Sequence, residues 1–359
     1  MKTGTADLPL HYGKAPAWLF QRMTRLAREI VVFMVSEFGP EEILNRLSDP
    51  FWFQSFGCVL GFDWHSSGLT TTVCGSIKEG IKGLEKDLGF FAAGGKGRVS
   101  RQTPNEIETF GDLITRNPQE LVYASKLVAK VDSAALQDGF QLYHHCFFFT
   151  KQGSWCVVQQ GMNDSSRYAR RYHWLGSSVR DFVNEPHSAV CCDFKGSTLN
   201  MVAAESGQAR EVSAKLAGEN PGILLGEFKK MQQLSLPAYH EVTAKEINRD
   251  YLSRILLKTY ETQPENFESL LMIKGVGAKT VRALSLISEL VYGAPVSFKD
   301  PARYSFAHGG KDGYPYPVDR QNYDKSIEIL QKAVNQAHID RSDRIAAIKR
   351  LERFSVAGS

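Results

Sequence analysis

The sequence predicts an α+β protein that is predominantly α-helical, with a small antiparallel sheet in its central region and an all-helical C-terminal part. Apolar residues recur at helical spacing over much of the first 135 residues. Two runs rich in aromatic and apolar residues, Phe140–Thr150 and Trp155–Gln160, flank a short glycine-containing turn, which is the pattern of a β-hairpin. From about Leu199 onward the spacing is almost entirely helical.

The elements follow one another in three regions, which we bound at residues 1–104, 105–200 and 201–359. Helical spacing predicts helices over residues 16–48, 71–88 and 104–135, the last broken near Asn117–Pro118. Glycine and basic residues between Ala92 and Pro104 predict a loop. The basic and aromatic segment Arg167–Trp174 is typical of either a backbone-binding channel or a solvated helix face.

The composition is that of an ordinary soluble globular protein. The 359 residues suffice for two or three domains, and 43% are hydrophobic and 23% charged. The net charge of +4 is only mildly basic, so any nucleic-acid-binding surface must be local. No nucleotide cofactor is expected, because Gly95-Lys96 is followed by Gly97 rather than the Ser or Thr of a Walker A loop.

The sequence gives no sign of a membrane or of secretion. The N-terminus lacks the apolar core of a signal peptide, and charged residues interrupt the apolar stretch Trp18–Phe38. That stretch therefore predicts a buried amphipathic helix rather than a membrane span. The six cysteines form no Cys-x-x-Cys motif and are expected to be reduced thiols. We expect a cytoplasmic protein that does not contact membranes.

The most informative stretch is Leu270–Thr280, where apolar residues lead into Gly-Val-Gly and a helical pattern follows up to Gly293. This frame resembles the helix–hairpin–helix motif, here over residues 265–293, which holds a nucleic-acid backbone independently of sequence. The glycines permit a tight turn, and the amides that begin the next helix favour an anion. An ordinary corner between helices has a similar pattern. The DNA contacts predicted here are Lys274, Gly275, Val276, Gly277, Ala278, Lys279 and Thr280.

Two further segments are predicted to contact DNA. The stretch Gly94–Arg101 would bind phosphate through backbone amides and the side chains of Lys96, Arg98 and Arg101, although it also fits a flexible basic surface loop. Arg170 and Arg171 of the basic and aromatic segment would contact the backbone of a strand.

Acidic, amide and imidazole side chains gather where the hairpin begins, and we predict a catalytic centre of Asp132, Asp138, Gln141, His144, His145 and Gln160. Hard cations prefer carboxylate and amide oxygens, so a divalent metal, Mg²⁺ or Mn²⁺, is expected on Asp132, Asp138 and His145. Alternation along a strand puts Gln141, Tyr143 and His145 on one face, which favours His145 over His144. The segment Val158–Gly161 lacks the Glu-x-Lys triplet that nucleases of this kind carry. Histidines hydrogen-bonded inside a packed sheet would give the same pattern without chemistry.

Other arrangements stay open. Glycosylases with this hairpin carry a lysine after the turn and an aspartate about twenty residues later, which Lys279 and Asp300 match. Asp300-Pro301 also fits a helix start. A zinc site at His187 with Cys191 and Cys192 has little support, because adjacent cysteines do not match a finger spacing. The pattern at Asp63 and His65 fits either a functional site or a turn. A second polar cluster comprises Tyr304, His308, Lys311, Asp312 and Asp319.

The chain as a whole resembles a prokaryotic family catalogued as domain of unknown function 763. The matching stretches are Thr3–His11, Gly94–Gly97, Asp132–His145, Gln159–Asn163, Ala169–Trp174, Phe306–Gly313 and Pro317–Arg320. The resemblance implies an intracellular protein with a helix–hairpin–helix and a deoxyribonuclease role, but it assigns no catalytic residues.

We therefore expect a DNA-binding protein that acts as a metal-dependent deoxyribonuclease in DNA processing or repair. One alternative is a helix–hairpin–helix DNA glycosylase or AP lyase that uses Lys279 and Asp300. The other is a non-enzymatic adaptor that binds nucleic acid.

Overall fold

A computed structural model describes residues 15–62, 66–192, 194–231, 249–302 and 320–357. It is an α+β fold, mostly helical, in which a five-stranded antiparallel sheet lies between two layers of helices. The predicted fold class is confirmed.

The first helical layer begins with the predicted amphipathic helix. Its helices are α1 (Ala17–Phe38), α2 (Pro40–Ser48), α3 (Pro50–Leu60), α4 (Gly68–Ile81) and α5 (Glu85–Leu88). A chain reversal at Gly39, where φ is +82°, separates α1 from α2. The side chain of Asp49 accepts hydrogen bonds from the first amides of α3, at 2.8 Å from Phe51 N and 2.9 Å from Trp52 N. Within the described ranges no helix is long and apolar enough to cross a membrane.

The central region supplies the strands and two helices. In chain order these are β1 (Phe90–Lys96), α6 (Thr103–Thr109), α7 (Pro118–Lys130), β2 (Leu136–Gln137), β3 (Gln141–Thr150), β4 (Trp155–Asn163), β5 (Tyr168–Leu175), β6 (Ala189–Cys191) and β7 (Leu199–Asn200). A single π-helical turn, Val131–Ala135, extends α7. The large sheet has the order β1-β3-β4-β5-β6, whereas β2 and β7 form a separate pair. The predicted hairpin is confirmed as β3 and β4.

The C-terminal region divides between the two layers. Its helices are α8 (Gly207–Ala217), α9 (Pro221–Met231), α10 (Arg249–Thr262), α11 (Phe267–Met272), α12 (Ala278–Tyr292), α13 (Arg320–Gln336) and α14 (Arg341–Ala357). The helices α6 to α12 pack on the sheet face that carries Phe147 and Phe149. The helices α1 to α4, α13 and α14 pack on the opposite face, which carries Cys146 and Phe148. The two cores therefore run across the boundaries we predicted near residues 104 and 200.

Two segments differ from their sequence-based predictions. The stretch predicted as a loop begins instead as edge strand β1, followed by a short 3₁₀ helix, Gly97–Gln102. Gly94 permits this pairing, because its φ is +88° and a Cβ there would lie 2.2 Å from the carbonyl oxygen of His145. The segment Arg167–Trp174 is neither a helix nor an open channel. Most of it forms β5, which is hydrogen-bonded to β4 and β6 and buried along most of its length.

Candidate active site

A pocket of about 570 Å³ opens between α7, the start of β3 and the turn that follows α11. Three cationic side chains line it, Arg101, Lys126 and Lys130, and none of the described residues that line it is acidic. Ser125, His145 and Gln159 lie in its wall. Because the lining carries positive charge and hydroxyl groups without carboxylates, the pocket favours an anion over a metal cation.

His145 is held in one orientation by two hydrogen bonds. Its Nδ1 lies 2.8 Å from Oε1 of Gln159, and its Nε2 lies 2.9 Å from Oγ of Ser125. Gln159 in turn donates from Nε2 to Oδ2 of Asp132, at 2.5 Å. Burial lowers the pKa of His145, against smaller opposing effects from Gln159 and Asp132, so the imidazole is neutral at pH 7.

Asp132 is completely buried in the π-helical turn that ends α7. Besides Gln159, it accepts hydrogen bonds from Trp174 Nε1 at 2.9 Å and from His187 Nε2 at 2.5 Å. A buried carboxylate with three donors is well stabilised. The predicted pairing of Asp132 with His145 is thus present, but Gln159 stands between them.

Asp138 belongs to a different network. Its Oδ2 accepts hydrogen bonds from Arg170 Nη1 at 3.0 Å and from Tyr172 at 2.6 Å. Arg170 also donates to Asp300, at 2.7 Å. Burial raises the pKa of Asp138, and the Arg170 guanidinium opposes that rise. Asp138 therefore forms an ion pair with Arg170 in the protein interior.

The predicted metal set needs correction. Asp132, Asp138 and His145 are engaged in separate hydrogen bonds, and the described residues contain no group of three or more His, Cys, Asp or Glu arranged to hold a metal ion. Divalent-metal dependence remains a prediction, but not with these three ligands.

His144 and Gln160 lie on the opposite face of the sheet from His145 and Gln159, because neighbouring residues of a strand alternate. Gln160 donates to Ser67 O at 2.8 Å and to the Tyr143 hydroxyl at 2.5 Å. A bulge between Leu142 and His144 breaks the alternation and brings Tyr143 to Gln160, contrary to the predicted grouping with His145. Gln160 therefore does not orient His145.

Two other members of the predicted catalytic set make no hydrogen bond to Ser125 or His145 in the described structure. Gln141 is exposed at the start of β3. His144 is buried, and in the described part of the chain neither of its ring nitrogens has a hydrogen-bond partner. Burial is the main cause that lowers the pKa of His144 to about 3, with smaller electrostatic contributions from His145 and Lys96. This ring stays neutral throughout the physiological range.

The two arginines of β5 are interior residues, which corrects their predicted role as DNA contacts. Arg170 and Arg171 are both fully buried. Arg171 donates to Gln54 Oε1 at 2.7 Å and stacks over the ring of Phe53, at 4.6 Å from its centroid. Burial lowers the pKa of Arg171 to about 10. By contrast, the side chains of Lys96, Arg98 and Arg101 are exposed.

Side-chain donors hold the turn between α11 and α12 by its carbonyl groups. Lys258 Nζ donates to Lys274 O at 3.0 Å, the Tyr251 hydroxyl to Gly275 O at 2.9 Å, and Lys130 Nζ to Val276 O at 2.5 Å. Because Lys130 also lines the pocket, and so does Met272 at the end of α11, the turn and the pocket share one rim.

The two glycines of this turn differ in whether the backbone conformation and the neighbouring atoms require a glycine. Gly275 has φ +104°, and a Cβ there would lie 2.5 Å from Cδ1 of Ile255, so the fold requires glycine. Gly277 has φ −147°, which any residue adopts, and a Cβ there would meet nothing within 4 Å. The first backbone bond of α12 runs from Val281 N to Gly277 O, so the amides just before Val281 have no intrahelical acceptor. The bare backbone at Gly277 leaves room for a ligand to approach these amides.

The remaining predicted sites have these placements. Asp300 accepts hydrogen bonds from Arg170 and from Gly196 N, and no hydrogen bond or ion pair joins it to Lys279 in the described structure. His187 hydrogen-bonds to Asp132 and Cys192 donates to Ala169 O, and in the described structure His187, Cys191 and Cys192 are not arranged as the zinc site considered. No disulfide joins any two of the six cysteines, all of which lie within the described residues. Residues 63–65 and 303–319, which include Asp63, His65 and the second polar cluster, lie outside the described residues.

Sequence reasoning missed Ser125, Gln159 and Lys130. A lone serine within a helix carries no local signal, and Gln159 is distinguished from its neighbour Gln160 only by the face on which it lies.

A family model described as Protein of unknown function (DUF763) matches residues 4–318, which is most of the chain. No curated protein and no solved structure is similar enough to this chain to count as a match.

Proposed function

The chain belongs to this family of proteins of unknown function, and we propose that it is a DNA-binding protein and a metal-dependent deoxyribonuclease of DNA processing or repair. The observation that carries the proposal is the shared rim of the α11–α12 turn and the electropositive pocket. One surface then offers both a backbone-binding element and a place for chemistry.

We assign the α11–α12 pair to the helix–hairpin–helix class. The free amides at the start of α12 would bind a phosphate, with Lys274 and Lys279 adding positive charge. Such contacts carry no sequence information, so binding should be salt-sensitive and indifferent to sequence. Lys96, Arg98 and Arg101 would extend the contact, since Arg101 also lines the pocket.

A phosphodiester that enters the pocket would find cations to balance its charge and a neutral imidazole to take a proton. Lys126 and Lys130 stand beside His145 in the lining. His145 has Nε2 directed at a hydroxyl rather than at a carboxylate, which suits a general base. The lyase alternative has less support, because Asp300 is hydrogen-bonded to Arg170 and no hydrogen bond or ion pair joins it to Lys279 in the described structure.

The test is a gel assay with end-labelled single- and double-stranded DNA in Mg²⁺, Mn²⁺ or EDTA. We expect shifted DNA in every buffer, weaker as salt rises, and strand cleavage in at least one metal. DNA that is shifted but uncut in every metal would support the adaptor instead. Unshifted DNA at low salt would contradict the proposal altogether.

A further inference from the structure

We propose that Ser125 is a nucleophile, activated by His145, that attacks the phosphorus of a phosphodiester bound in the pocket. The inference rests on the proposed function only for the identification of DNA as the phosphodiester. The chemistry itself follows from the hydrogen-bond order between four side chains, Ser125, His145, Gln159 and Asp132.

The direction of each hydrogen bond is fixed by the carboxylate at one end. Gln159 donates through Nε2 to Oδ2 of Asp132. The amide then presents Oε1 to His145, whose Nδ1 must carry the proton. The other ring nitrogen, Nε2, is left unprotonated and accepts from the Ser125 hydroxyl at 2.9 Å. This is the tautomer that a serine nucleophile needs in its base.

The hydroxyl of Ser125 does not bond to its own helix, unlike the hydroxyls of two other buried helical serines. Ser55 and Ser288 donate back to the carbonyl four residues earlier, to Phe51 O at 2.8 Å and Leu284 O at 2.7 Å. Ser125 lies in the middle of α7, yet its hydroxyl bonds to an imidazole twenty residues away. The Ser125 hydroxyl is therefore directed at the imidazole rather than at its own helix.

The surroundings suit a phosphodiester. Ser125 lines the same pocket as Arg101, Lys126 and Lys130, and no acidic side chain among the described lining residues would repel the substrate. Lys130 also holds the turn through Val276 O, which ties the pocket to the surface proposed to bind the strand.

The bonds made and broken balance with water as the only co-reactant, and the divalent metal of the proposed function would only neutralise charge on the phosphate. Ser125 Oγ forms a bond to phosphorus while its proton passes to His145 Nε2, and the bond from phosphorus to one ester oxygen breaks. Protonated His145 gives that proton to the departing oxygen, which leaves as an alcohol. Water, deprotonated by His145, then attacks phosphorus. The bond from phosphorus to Ser125 Oγ breaks, and protonated His145 returns the proton to Oγ. The products are a phosphomonoester and a free hydroxyl group.

The first experiment compares wild-type protein with Ser125→Ala and Ser36→Ala. Ser36 is exposed in α1, in the helical layer on the other side of the sheet. The substrates are end-labelled DNA and bis(4-nitrophenyl) phosphate. Ser125→Ala should lower kcat by about 10³-fold or more with KM and DNA affinity unchanged, whereas Ser36→Ala should resemble wild type. Acid quenching during turnover should trap labelled DNA on wild-type protein but not on Ser125→Ala.

Gln159→Met tests the positioning role of the amide. We expect kcat to fall by about 10²-fold with KM unchanged, because the imidazole loses its fixed tautomer. The hydrogen bond to Gln159 raises the pKa of His145, so its removal lowers that pKa. The acid limb of the pH–rate profile, where His145 becomes protonated and inactive, should therefore move to lower pH. A loss of activity through unfolding alone would not move it.

The outcomes separate the two proposals. Cleavage that persists in Ser125→Ala, or the absence of a trapped adduct in wild type, overturns the nucleophile and leaves the DNA nuclease standing. Ser125-dependent hydrolysis of bis(4-nitrophenyl) phosphate by a protein that neither binds nor cuts DNA supports the nucleophile and contradicts the proposed function. A wild-type protein that hydrolyses neither substrate overturns both the nucleophile and the nuclease.

Discussion

Replacement of Arg170 by methionine should lower the free energy of unfolding by about 3–5 kcal/mol, because it leaves buried carboxylates without a counterion. Arg170 is fully buried and bridges Asp138 and Asp300, at 3.0 Å and 2.7 Å. Urea titration of both proteins measures the difference. Lys299→Met is the matched control, because it removes an ion pair of similar length, 2.9 Å to Glu205, whose lysine is 81% exposed. That change should have little effect.

The loss in Arg170→Met should also depend on pH. Burial raises the pKa of Asp138 above its unfolded value near 3.8, and Arg170 is the group that opposes this rise. Without the guanidinium the folded-state pKa rises further, so the folded protein binds the proton more tightly. The variant's deficit should therefore be small near pH 4 and grow as the pH rises through that pKa. A deficit below about 1 kcal/mol at neutral pH would contradict the structural role of the pair.

Gly277→Leu should weaken binding to all DNA sequences alike, by about tenfold or more, while the thermal midpoint stays near that of wild type. A Cβ at this position meets no atom of the described structure within 4 Å, and the position needs no unusual φ, so we expect the fold to tolerate a side chain there. A leucine would cover the amides that we propose bind phosphate. Loss of the hydrogen bonds from these amides to one phosphate should weaken the binding free energy by on the order of 1–2 kcal/mol. Fluorescence anisotropy with labelled duplexes of unrelated sequence measures the affinity.

Gly226→Leu is the matched control for this variant. Gly226 lies exposed in α9, and a Cβ there also meets nothing within 4 Å. Its DNA affinity should equal that of wild type. If Gly277→Leu bound DNA as tightly as Gly226→Leu, the α11–α12 turn would not be the contact with the strand.

Much of the fold was predictable because its signals are local. The β3–β4 hairpin follows from two apolar runs around Gly153, and the break between α6 and α7 follows from Asn117, whose side chain caps α7 through Gln119 N at 3.0 Å. Strand β1 was not predicted, because glycines are uncommon in strands. The reason for Gly94, the close approach of the His145 backbone, is visible only in the folded structure.

The candidate site was less predictable, because its partners are distant in sequence. In the sequence Arg170 resembles a surface residue. Its partners Asp138 and Asp300 are 32 and 130 residues distant along the chain, so their contact with it is not visible in the sequence. The bulge in β3 moved Tyr143 to the other face, which no alternation rule foresees. The sequence placed Asp132 and His145 in one candidate centre. Gln159, which hydrogen-bonds to both of them, and Ser125, which hydrogen-bonds to His145, had no distinguishing pattern.

The most direct test of the central claim, that DNA held at the turn reaches the pocket, is site-specific photocrosslinking. A photoreactive amino acid would replace Lys126, which is exposed at the pocket, and in a control Ile345, which is exposed on α14 across the sheet. We predict crosslinks to labelled DNA from position 126 that Gly277→Leu diminishes, and none from position 345. Bound DNA that never crosslinks to position 126, or that crosslinks equally in the Gly277→Leu background, would contradict the claim.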